Sequence, residues 1–353
     1  MLRVVYDGQI FASQSHGGVS RIFSQLITEL QKNEIDVRIL SLLTDNEYFN
    51  NKAFLKGFSF PGKIVMMKEI NKRYAIYKLR QGNFDVFHPT NYNPYFLDYI
   101  ADKPLVVTVY DLIHEKYPEY FTNDNIIKRK KIFKRANAII AISESTKKDI
   151  DKYYGYGYKT KVIYLANSLV DNNNKKLDLP EKYLLYVGSR QGYKNFIPFI
   201  RALPDGDYQV ICVGGGAFNT EEKKLFSDLG YNDRITQISA TDQQLPQIYK
   251  QAIAFVYPSL YEGFGIPLLE AFTFKCPVIA SNTSSFPEVC GKACQYFDPT
   301  DISDIRNKID LVIKNKSLRS KLVNEGVKRV KNFSWRETAK QTVRAYRSVM
   351  KQQ

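Results

Sequence analysis

The segment 257–270, which reads YPSLYEGFGIPLLE, combines two carboxylates with a glycine-bearing loop. It continues from Ala254–Tyr257, an apolar stretch typical of a strand, and a helix is predicted to open at Pro267 because proline suits the first helical position. Backbone N–H groups at a helix N-terminus bind anions, and glycines let the backbone approach a ligand closely. The pattern therefore predicts a phosphate site formed by Gly263, Phe264, Gly265 and Ile266.

Two glutamates accompany this predicted phosphate site. Glu262 precedes the helix, and Glu270 lies about one turn into it. One carboxylate can then reach sugar hydroxyls on one side of the phosphates, and the other can reach ribose hydroxyls. The alternative is an ordinary strand–loop–helix with two surface glutamates. The glycines and Pro267 at these positions favour the ligand site.

A pair of cations, Arg190 and Lys194, follows the predicted strand Tyr183–Val187 and flanks a glycine turn. A reaction that breaks a bond to a phosphate leaves growing negative charge on the departing phosphate. Two fixed cations can neutralise that charge without a metal ion. Two exposed basic residues with no such role are the alternative.

In the first half of the chain, Asp111 and His114 follow the predicted strand Leu105–Tyr110. We expect Asp111 to orient groups at the site and His114 to assist catalysis. His16, beside a Gly17–Gly18 pair, is a weaker candidate, and His88, at the end of a short strand, is weaker still. A lone histidine is more often structural than catalytic.

The elements that position these residues alternate along the chain. Strands alternating with helices predict a parallel sheet covered on both faces. Polar residues 170–176, followed by Pro180, predict a linker, after which the alternation starts again. The strands predicted before the linker are Leu2–Tyr6, Val37–Ser41, Val86–His88, Leu105–Tyr110, Ala138–Ile142 and Lys161–Ile163, and those after it are Tyr183–Val187, Gln209–Val213, Ile235–Gln237, Ala254–Tyr257, Pro277–Ala280 and Gln295–Phe297.

Length and composition agree with two α/β domains. The chain has 353 residues, of which 44% are hydrophobic, enough to fill two cores. Four cysteines without a CxxC pair or a nearby histidine predict reduced thiols rather than a zinc site. The N-terminus lacks the apolar segment of a signal peptide, and no apolar run reaches the ~18 residues of a membrane span. We therefore expect a cytoplasmic protein.

The formal net charge of +15 calls for an explanation. Nucleic acid, an anionic membrane surface and a phosphate-rich substrate are the candidate partners. The densest basic run, residues 128–135, lies in a predicted helix whose Ile127, Phe133 and Ala136 are expected to face inward. This run is either a solvated helix face or a surface that attracts anionic lipid, which would place the protein peripherally at the inner membrane face.

Several of these motifs resemble the family 4 retaining glycosyltransferases of GT-B fold, and the likeness covers nearly the whole chain. The stretches PSLYEGFGIPLLEAF and PVIASNTSSFPEV resemble the donor-binding signature of that family, Gly17–Arg21 resembles its first glycine pair, and Tyr186–Asn195 resembles its Arg…Lys segment. Gly214–Gly216 resembles another glycine turn of the family. The family often has histidine where this chain has Tyr110, a departure that weakens the transfer of that role.

The resemblance implies an α/β architecture of GT-B type, with two Rossmann-like domains whose parallel sheets face each other across a cleft. It implies an acceptor-side domain over residues 1–174, a nucleotide-sugar domain over 175–334, and a C-terminal helix over 335–353 that packs back on the first domain. It also implies transfer with retention at the anomeric carbon, with no cofactor and no metal, from a nucleotide-diphosphate sugar to a glycan or lipid-linked acceptor of surface polysaccharide assembly. The nucleotide base is expected near Ser239–Asp242. The implied site residues are Asp111, His114, Arg190, Lys194 and Glu262 for catalysis, and Gly17, Gly18, Ala240, Gly263, Phe264, Gly265, Ile266 and Glu270, with Arg190, Lys194 and Glu262, for the donor.

Three other functions compete with this interpretation. A metal-dependent transferase needs an Asp-x-Asp site, and Asp205–Gly206–Asp207 has that spelling but the composition of a turn. A nucleic-acid-binding protein would fit the charge, yet no helix–turn–helix, zinc or RNA-binding signature accompanies the lysines. An epimerase, hydrolase or phosphorylase acting on nucleotide sugars, with the same fold, is the nearest alternative.

Overall fold

The computed structural model describes residues 1–33, 35–49, 59–121, 124–171 and 177–351, and it divides the chain into two compact units. Unit 1 contains residues 1–165 and 334–353, and unit 2 contains residues 166–333. The predicted boundary between residues 174 and 175 falls among residues 172–176, outside the described residues.

Unit 1 is built on parallel strands in the order β2-β1-β3 and β4-β5-β6, and a bridge between Phe87 and Leu105 joins β3 to β4. Its strands are β1 (Arg3–Asp7), β2 (Asp36–Leu40), β3 (Val86–His88), β4 (Val106–Val109), β5 (Ala138–Ala141) and β6 (Thr160–Val162). Its helices are α1 (Gln9–Ser13), α2 (Gly18–Gln31), α3 (Lys63–Arg80), α4 (Ile113–Lys116), α5 (Asp124–Arg135), α6 (Glu144–Tyr154) and the C-terminal helix (Trp335–Met350).

Helix α3 is the largest element that the sequence pattern does not predict. Its buried positions are Met67, Asn71, Ala75 and Leu79, spaced four residues apart. One is polar and one is small, so the inward stripe carries little of the apolar signal by which a helix is recognised. Helix α5 also differs from expectation, because Ile127 is 56% exposed whereas Ile132 and Phe133 are buried.

The C-terminal helix packs against α2 and contributes to the core of unit 1. The Ser334 hydroxyl caps it by accepting from the backbone N–H of Glu337. The Tyr346 hydroxyl contacts the hydroxyl of Tyr6 and lies 2.7 Å from Nδ1 of His88. The C-terminal segment is therefore joined by a buried polar network to the strands at the centre of unit 1.

His88 belongs to this core rather than to a catalytic site. Its Nε2 lies 2.9 Å from the hydroxyl of Thr108, and its ring stacks on that of Tyr6 at 5.0 Å between centroids. The side chain is fully buried, and burial lowers its pKa from 6.5 to about 3. His88 is therefore neutral in the folded protein at physiological pH.

This neutral histidine predicts a loss of stability in mild acid. Its pKa is lower in the folded than in the unfolded chain, so its contribution is present above pH 6.5 and is lost as pH falls. By linkage, this group alone removes about 2 kcal/mol from the free energy of unfolding between pH 6.5 and pH 5. In urea titrations followed through unit 1 amides, His88→Gln should flatten this dependence. The control His16→Gln, at an exposed histidine, should keep the wild-type slope of unfolding free energy against pH. Equal slopes in all three proteins would contradict the assignment of this pH dependence to His88.

Unit 2 contains one sheet of six parallel strands in the order β12-β11-β10-β7-β8-β9. Its strands are β7 (Tyr183–Val187), β8 (Gln209–Val213), β9 (Ile235–Ile238), β10 (Ala254–Tyr257), β11 (Val278–Ser281) and β12 (Cys294–Phe297). Its helices are α7 (Phe196–Arg201), α8 (Thr220–Asp228), α9 (Leu245–Gln251), α10 (Ile266–Thr273), α11 (Phe286–Cys290), α12 (Ile302–Lys314) and α13 (Lys316–Val330).

The strand order of unit 2 reverses between β7 and β10, which lie next to each other at the centre of the sheet. Ligands of open α/β sheets bind at such a switch point, beside the carboxyl ends of the strands. The two loops that leave this point are residues 188–195, after β7, and residues 258–265, after β10. Both loops contain residues that the sequence motifs predict to bind a ligand.

Candidate active site

The two loops at the switch point of unit 2 are joined by a backbone hydrogen bond and an ion pair. The backbone N–H of Leu260 donates to the carbonyl of Tyr193 at 2.8 Å. Lys194 Nζ lies 2.6 Å from Glu262 Oε1, and both side chains retain about one-seventh of their exposure, 14% and 15%. The structure thus brings together the cation and the carboxylate that were predicted from separate motifs.

Serines hold Glu262 in place from two neighbouring segments. The Ser259 hydroxyl donates to Glu262 Oε1 at 2.8 Å. After β11, the Ser285 hydroxyl donates to the Glu262 carbonyl at 2.9 Å, and Ser284 also contacts that carbonyl while its Oγ accepts from the Glu262 N–H at 3.1 Å. These serines were not predicted as site residues, although the polar run SNTSS after a strand was the signal that could have indicated Ser284 and Ser285.

Helix α10 begins at Ile266, one residue before the predicted Pro267. Its N-cap, Gly265, has φ +91°, which L side chains rarely adopt. A Cβ there would lie 2.9 Å from Leu268 Cδ1 and 3.0 Å from Phe286 Cε1. Gly265 is therefore required for this turn, and Gly263 beside it is buried in the same loop.

The Phe264 side chain points into the unit rather than toward a ligand. It is buried, and its ring lies 5.8 Å from that of Phe333. Only the backbone of Phe264 remains available for the predicted role in phosphate binding. Its aromatic ring instead anchors the loop that carries Glu262.

Glu270 is buried inside α10, with 2% exposure, and accepts a hydrogen bond from the Tyr249 hydroxyl at 3.0 Å. The alternative of a surface glutamate is therefore wrong. Ala240, the remaining predicted donor residue in unit 2, is half-buried just after β9, which is separated from β7 by β8.

Arg190 does not present its guanidinium to a ligand in this structure. Its Nε donates to Glu222 Oε1 at 2.7 Å, and both side chains are about 95% buried, with exposures of 4% and 5%. Its terminal nitrogens donate to the carbonyls of Gly214 at 2.9 Å, Gly216 at 2.9 Å and Ala217 at 3.0 Å. Every donor nitrogen of the Arg190 side chain is engaged by Glu222 or by the glycine turn after β8, so the predicted contact with the diphosphate would require some of these bonds to break.

In unit 1, Gly17 and Gly18 lie where α2 begins, with Gly17 as its N-cap. A Cβ on Gly17 would approach the Gln14 side-chain oxygen to 2.3 Å, whereas one on Gly18 would meet no described atom within 4 Å. The atoms that a Cβ on Gly17 would meet belong to the end of the flexible Gln14 side chain, which can shift, so the described atoms do not require glycine at either position. His16 is exposed and lies 3.1 Å from Glu47, so it forms a surface pair.

Asp111 and His114 are placed by the loop and short helix that follow β4. Asp111 Oδ1 accepts from the backbone N–H of Ile113 at 3.2 Å. The half-buried ring of His114 packs on that of Phe121 at 4.0 Å between centroids, and burial together with the positive charge of Arg129 lowers its pKa. The hydroxyl of Tyr110 is buried, its pKa is raised well above its usual value by that burial, and it finds no hydrogen-bond partner among the described residues.

Arg129 underlies this loop and was not predicted as a positioning residue. It belongs to the basic run 128–135, yet it is buried and lies 2.8 Å from Glu115 and 3.6 Å from Asp111. Arg135 is used structurally too, since it donates to the carbonyls of Ala101 and Lys103. The run is therefore not one solvated face, and Lys130, Lys131 and Lys134 are its exposed members.

A metal site and a membrane span receive no support from the described part of the chain. Within it, no three His, Cys, Asp or Glu side chains are placed to share a metal ion. The Asp205–Asp207 motif lies in the segment before β8, where Asp207 is 98% exposed and pairs with Lys182 at 3.3 Å. Of the helices seen there, none combines the length and the apolar character needed to cross a bilayer.

Comparison with known proteins assigns this arrangement to a class of enzymes. The family model described as Glycosyltransferase Family 4 matches residues 16–166, and the one described as Glycosyl transferases group 1 matches residues 170–329. The chain is therefore a glycosyltransferase. Its two α/β units and this pair of matches show that it belongs to the family 4 glycosyltransferases of GT-B fold.

Individual relatives agree with this assignment. The chain is 27% identical over 316 residues to the O-antigen chain mannosyltransferase B of Escherichia coli, which covers 81% of this chain and 80% of the relative. Its fold is similar to that of sucrose-phosphate synthase from Thermosynechococcus elongatus, with a TM-score of 0.80, 18% identity and 100% of both chains covered. It is also similar to that of Anabaena HepE, solved in complex with UDP and glucose, with a TM-score of 0.74, 16% identity, and coverage of 99% of this chain and 100% of the other.

Proposed function

We propose that this glycosyltransferase moves a hexosyl group, mannosyl by analogy with its Escherichia coli relative, from a nucleotide-diphosphate sugar to an acceptor hydroxyl in surface polysaccharide biosynthesis. The proposal includes retention at the anomeric carbon and independence from divalent metal and other cofactors. The observation that supports it most strongly is the Lys194–Glu262 pair at the switch point of unit 2, beside the glycine-capped N-terminus of α10.

In this mechanism the donor diphosphate lies at the mouth of α10. The helix N-terminus and Lys194 stabilise the negative charge that grows as the bond between sugar and phosphate breaks. Glu262, oriented by Ser259, holds hydroxyls of the transferred sugar, and Glu270 binds the ribose. Both carboxylates are fixed before the donor arrives, so little reorganisation is needed during the reaction.

Retention follows, in this proposal, from attack on the face that the leaving group vacates. The acceptor hydroxyl transfers its proton to an oxygen of the departing phosphate, and the new glycosidic bond forms as the old one breaks. No enzyme nucleophile is required, and catalysis consists of positioning and charge stabilisation. Asp111 and His114 of unit 1 are assigned to the acceptor, with His114 able to accept a hydrogen bond because its lowered pKa favours the neutral ring.

A thermal-shift panel tests the donor assignment. UDP-, GDP-, ADP- and dTDP-sugars, including GDP-mannose, are added in excess of EDTA. Ligand at 100 times its Kd stabilises the folded state by about 2.7 kcal/mol, which should raise the Tm by on the order of 5 °C. No shift with any donor, or a shift that requires added Mn²⁺, would overturn the proposal. Release of free sugar or an epimerised donor, with no transfer to any acceptor, would favour a hydrolase or an epimerase instead.

A further inference from the structure

Ser284 is one of four described residues other than glycine that have a positive φ. Its φ is +57°, in the left-handed region that L side chains enter only at an energetic cost. The carbonyl of Thr283 accepts from the backbone N–H of Phe286 at 3.2 Å, which closes a turn with Ser284 and Ser285 at its centre. Ser285 has φ −81°, so only the first central position has a positive φ, and such positions strongly favour glycine. A serine therefore occupies a place where glycine would fit with less strain.

The hydroxyl of this strained serine bonds both backbone polar groups of Glu262. Its Oγ accepts from the Glu262 N–H at 3.1 Å and donates to the Glu262 carbonyl. One atom thus fixes the two peptide units that flank the Glu262 side chain. Glycine has no hydroxyl and would make neither bond. Strain that is kept where a less strained residue would fit indicates a functional constraint on Ser284.

The residues on either side of Ser284 extend this attachment. The Thr283 hydroxyl donates to the carbonyl of Leu260 at 3.1 Å. The Ser285 hydroxyl donates to the carbonyl of Glu262 at 2.9 Å. These three consecutive residues form a hydroxyl clamp, which fastens the loop after β10 to the segment that leads into α11.

The hydroxyl clamp holds the backbone of Glu262, whereas the carboxylate has partners of its own. Lys194 Nζ lies 2.6 Å from Oε1 of Glu262, and the Ser259 hydroxyl donates to the same oxygen at 2.8 Å. Hydrogen bonds weaken steeply when their distance and angle change, so a shifted backbone would move the carboxylate away from its best geometry. The direction of the Glu262 carboxylate therefore depends on the clamp as well as on the ion pair.

We propose that Ser284 is a positioning residue of the transferase, which sets Glu262 in the orientation that recognises the sugar of the nucleotide-sugar donor. The proposal rests on the proposed function, in which Glu262 holds hydroxyls of that sugar. In that mechanism the N-terminus of α10 and Lys194 bind the diphosphate. Loss of the Ser284 hydroxyl should therefore weaken recognition of the sugar and spare recognition of the diphosphate.

Calorimetric titrations with GDP-mannose and with GDP test this separation. If the donor panel selects another nucleotide sugar, that sugar and its own nucleoside diphosphate replace them. Ser284→Gly should raise the Kd of the nucleotide sugar by about tenfold, as expected for the loss of about one hydrogen bond, and should leave the Kd of the diphosphate within about twofold. Ser284→Ala should show the same selective loss, because it lacks the same hydroxyl.

The matched control is Lys275→Gly. Lys275 also belongs to unit 2, has φ +59° and is exposed in the segment before β11. Its replacement by glycine relieves the same kind of strain far from the clamp in sequence. Both Kd values should remain within about twofold of wild type in this variant.

Thermal unfolding without ligand separates the strain from the hydroxyl. Glycine relieves the left-handed strain that alanine keeps, so the Tm of Ser284→Gly should exceed that of Ser284→Ala by about 2–4 °C. The glycine variant would then be the better folded of the two and yet recognise the sugar as poorly. Wild-type affinity for the nucleotide sugar in Ser284→Gly would overturn the proposal. Equal losses of affinity for the nucleotide sugar and the diphosphate would also overturn it, because they indicate a general disruption of the loop.

Amide hydrogen exchange at Glu262 measures the clamp without any ligand. The Glu262 N–H should exchange at least about tenfold faster in both Ser284 variants than in the wild-type protein. An unchanged exchange rate would refute the clamp even if the donor binds. Faster exchange, together with a wild-type protein that binds no nucleotide sugar, would instead refute the proposed function.

Discussion

Replacing Lys194 by alanine should lower the turnover number by about 10²- to 10³-fold, the usual cost of removing one preorganised group from a developing negative charge. Lys194 lies at the switch point of unit 2, in the loop hydrogen-bonded to the α10 loop. In the proposed mechanism the diphosphate of the intact donor is already charged, and Lys194 faces the further negative charge that develops as the diphosphate leaves. The loss should therefore appear in kcat, with the KM for the donor changed by only a few-fold.

The matched control is Lys182→Ala, which removes an exposed lysine of the same unit from a surface pair with Asp207. Surface pairs of this kind contribute little, so its kinetics should remain close to wild type. The Lys194→Ala variant also leaves Glu262 without its cation, so its folding must be checked by the donor-free Tm. A variant that is folded and whose kcat falls less than about threefold would refute the assignment of Lys194.

Much of unit 2 could be predicted from the sequence, because the information there is local. The strands β7, β8 and β10 have the predicted bounds, since each is a short, predominantly apolar run between polar turns. The glycine-bearing loop after β10 and the carboxylates Glu262 and Glu270 were placed on the correct elements for the same reason. At Gly265 the motif and the structure agree, because the backbone geometry of the turn depends on the glycine itself and not on distant residues.

The direction of side chains in irregular loops could not be predicted. Arg190 and Lys194 are four residues apart and have the same charge, yet one faces Glu222, 32 residues away, and the other faces Glu262, 68 residues away. Spacing within a loop has no fixed period that would assign a residue to one side. The direction of each side chain is set by its long-range partner, and the sequence does not identify that partner.

Helix α3 of unit 1 was missed for a different physical reason. Helix α3 buries Asn71, whose side-chain oxygen accepts from the backbone N–H groups of Leu42 and Leu43 at 2.9 and 3.0 Å. A helix that is held in place by the hydrogen bonds of a buried asparagine needs fewer apolar residues on its inner face. Its exposed aliphatic residues Ile64 and Val65 further weaken the periodic signal.

Replacing Arg190 by alanine should destabilise unit 2 by about 3–5 kcal/mol, because removal of one partner leaves the buried carboxylate of Glu222 uncompensated. It also removes the donors that hold the carbonyls of Gly214, Gly216 and Ala217. The three glycines of this turn, Gly214–Gly216, all have positive φ, so the turn has few other means of keeping its shape. The measurement is urea unfolding followed through unit 2 amides.

A double-mutant cycle distinguishes this structural role from a direct role at the diphosphate. Glu222→Gln removes the charge but keeps a side chain that can complete the capping box with Asn219. If Arg190 acts through Glu222, the double variant Arg190→Ala/Glu222→Gln should be more stable than the sum of the single losses predicts, by at least about 1 kcal/mol. If the losses of stability are additive, and if Arg190→Ala has a wild-type Tm but a greatly lowered kcat, then Arg190 acts directly at the diphosphate. The structure leads us to expect the coupling, since a guanidinium that already donates to a buried carboxylate and three carbonyls can reach a ligand only by giving up those bonds.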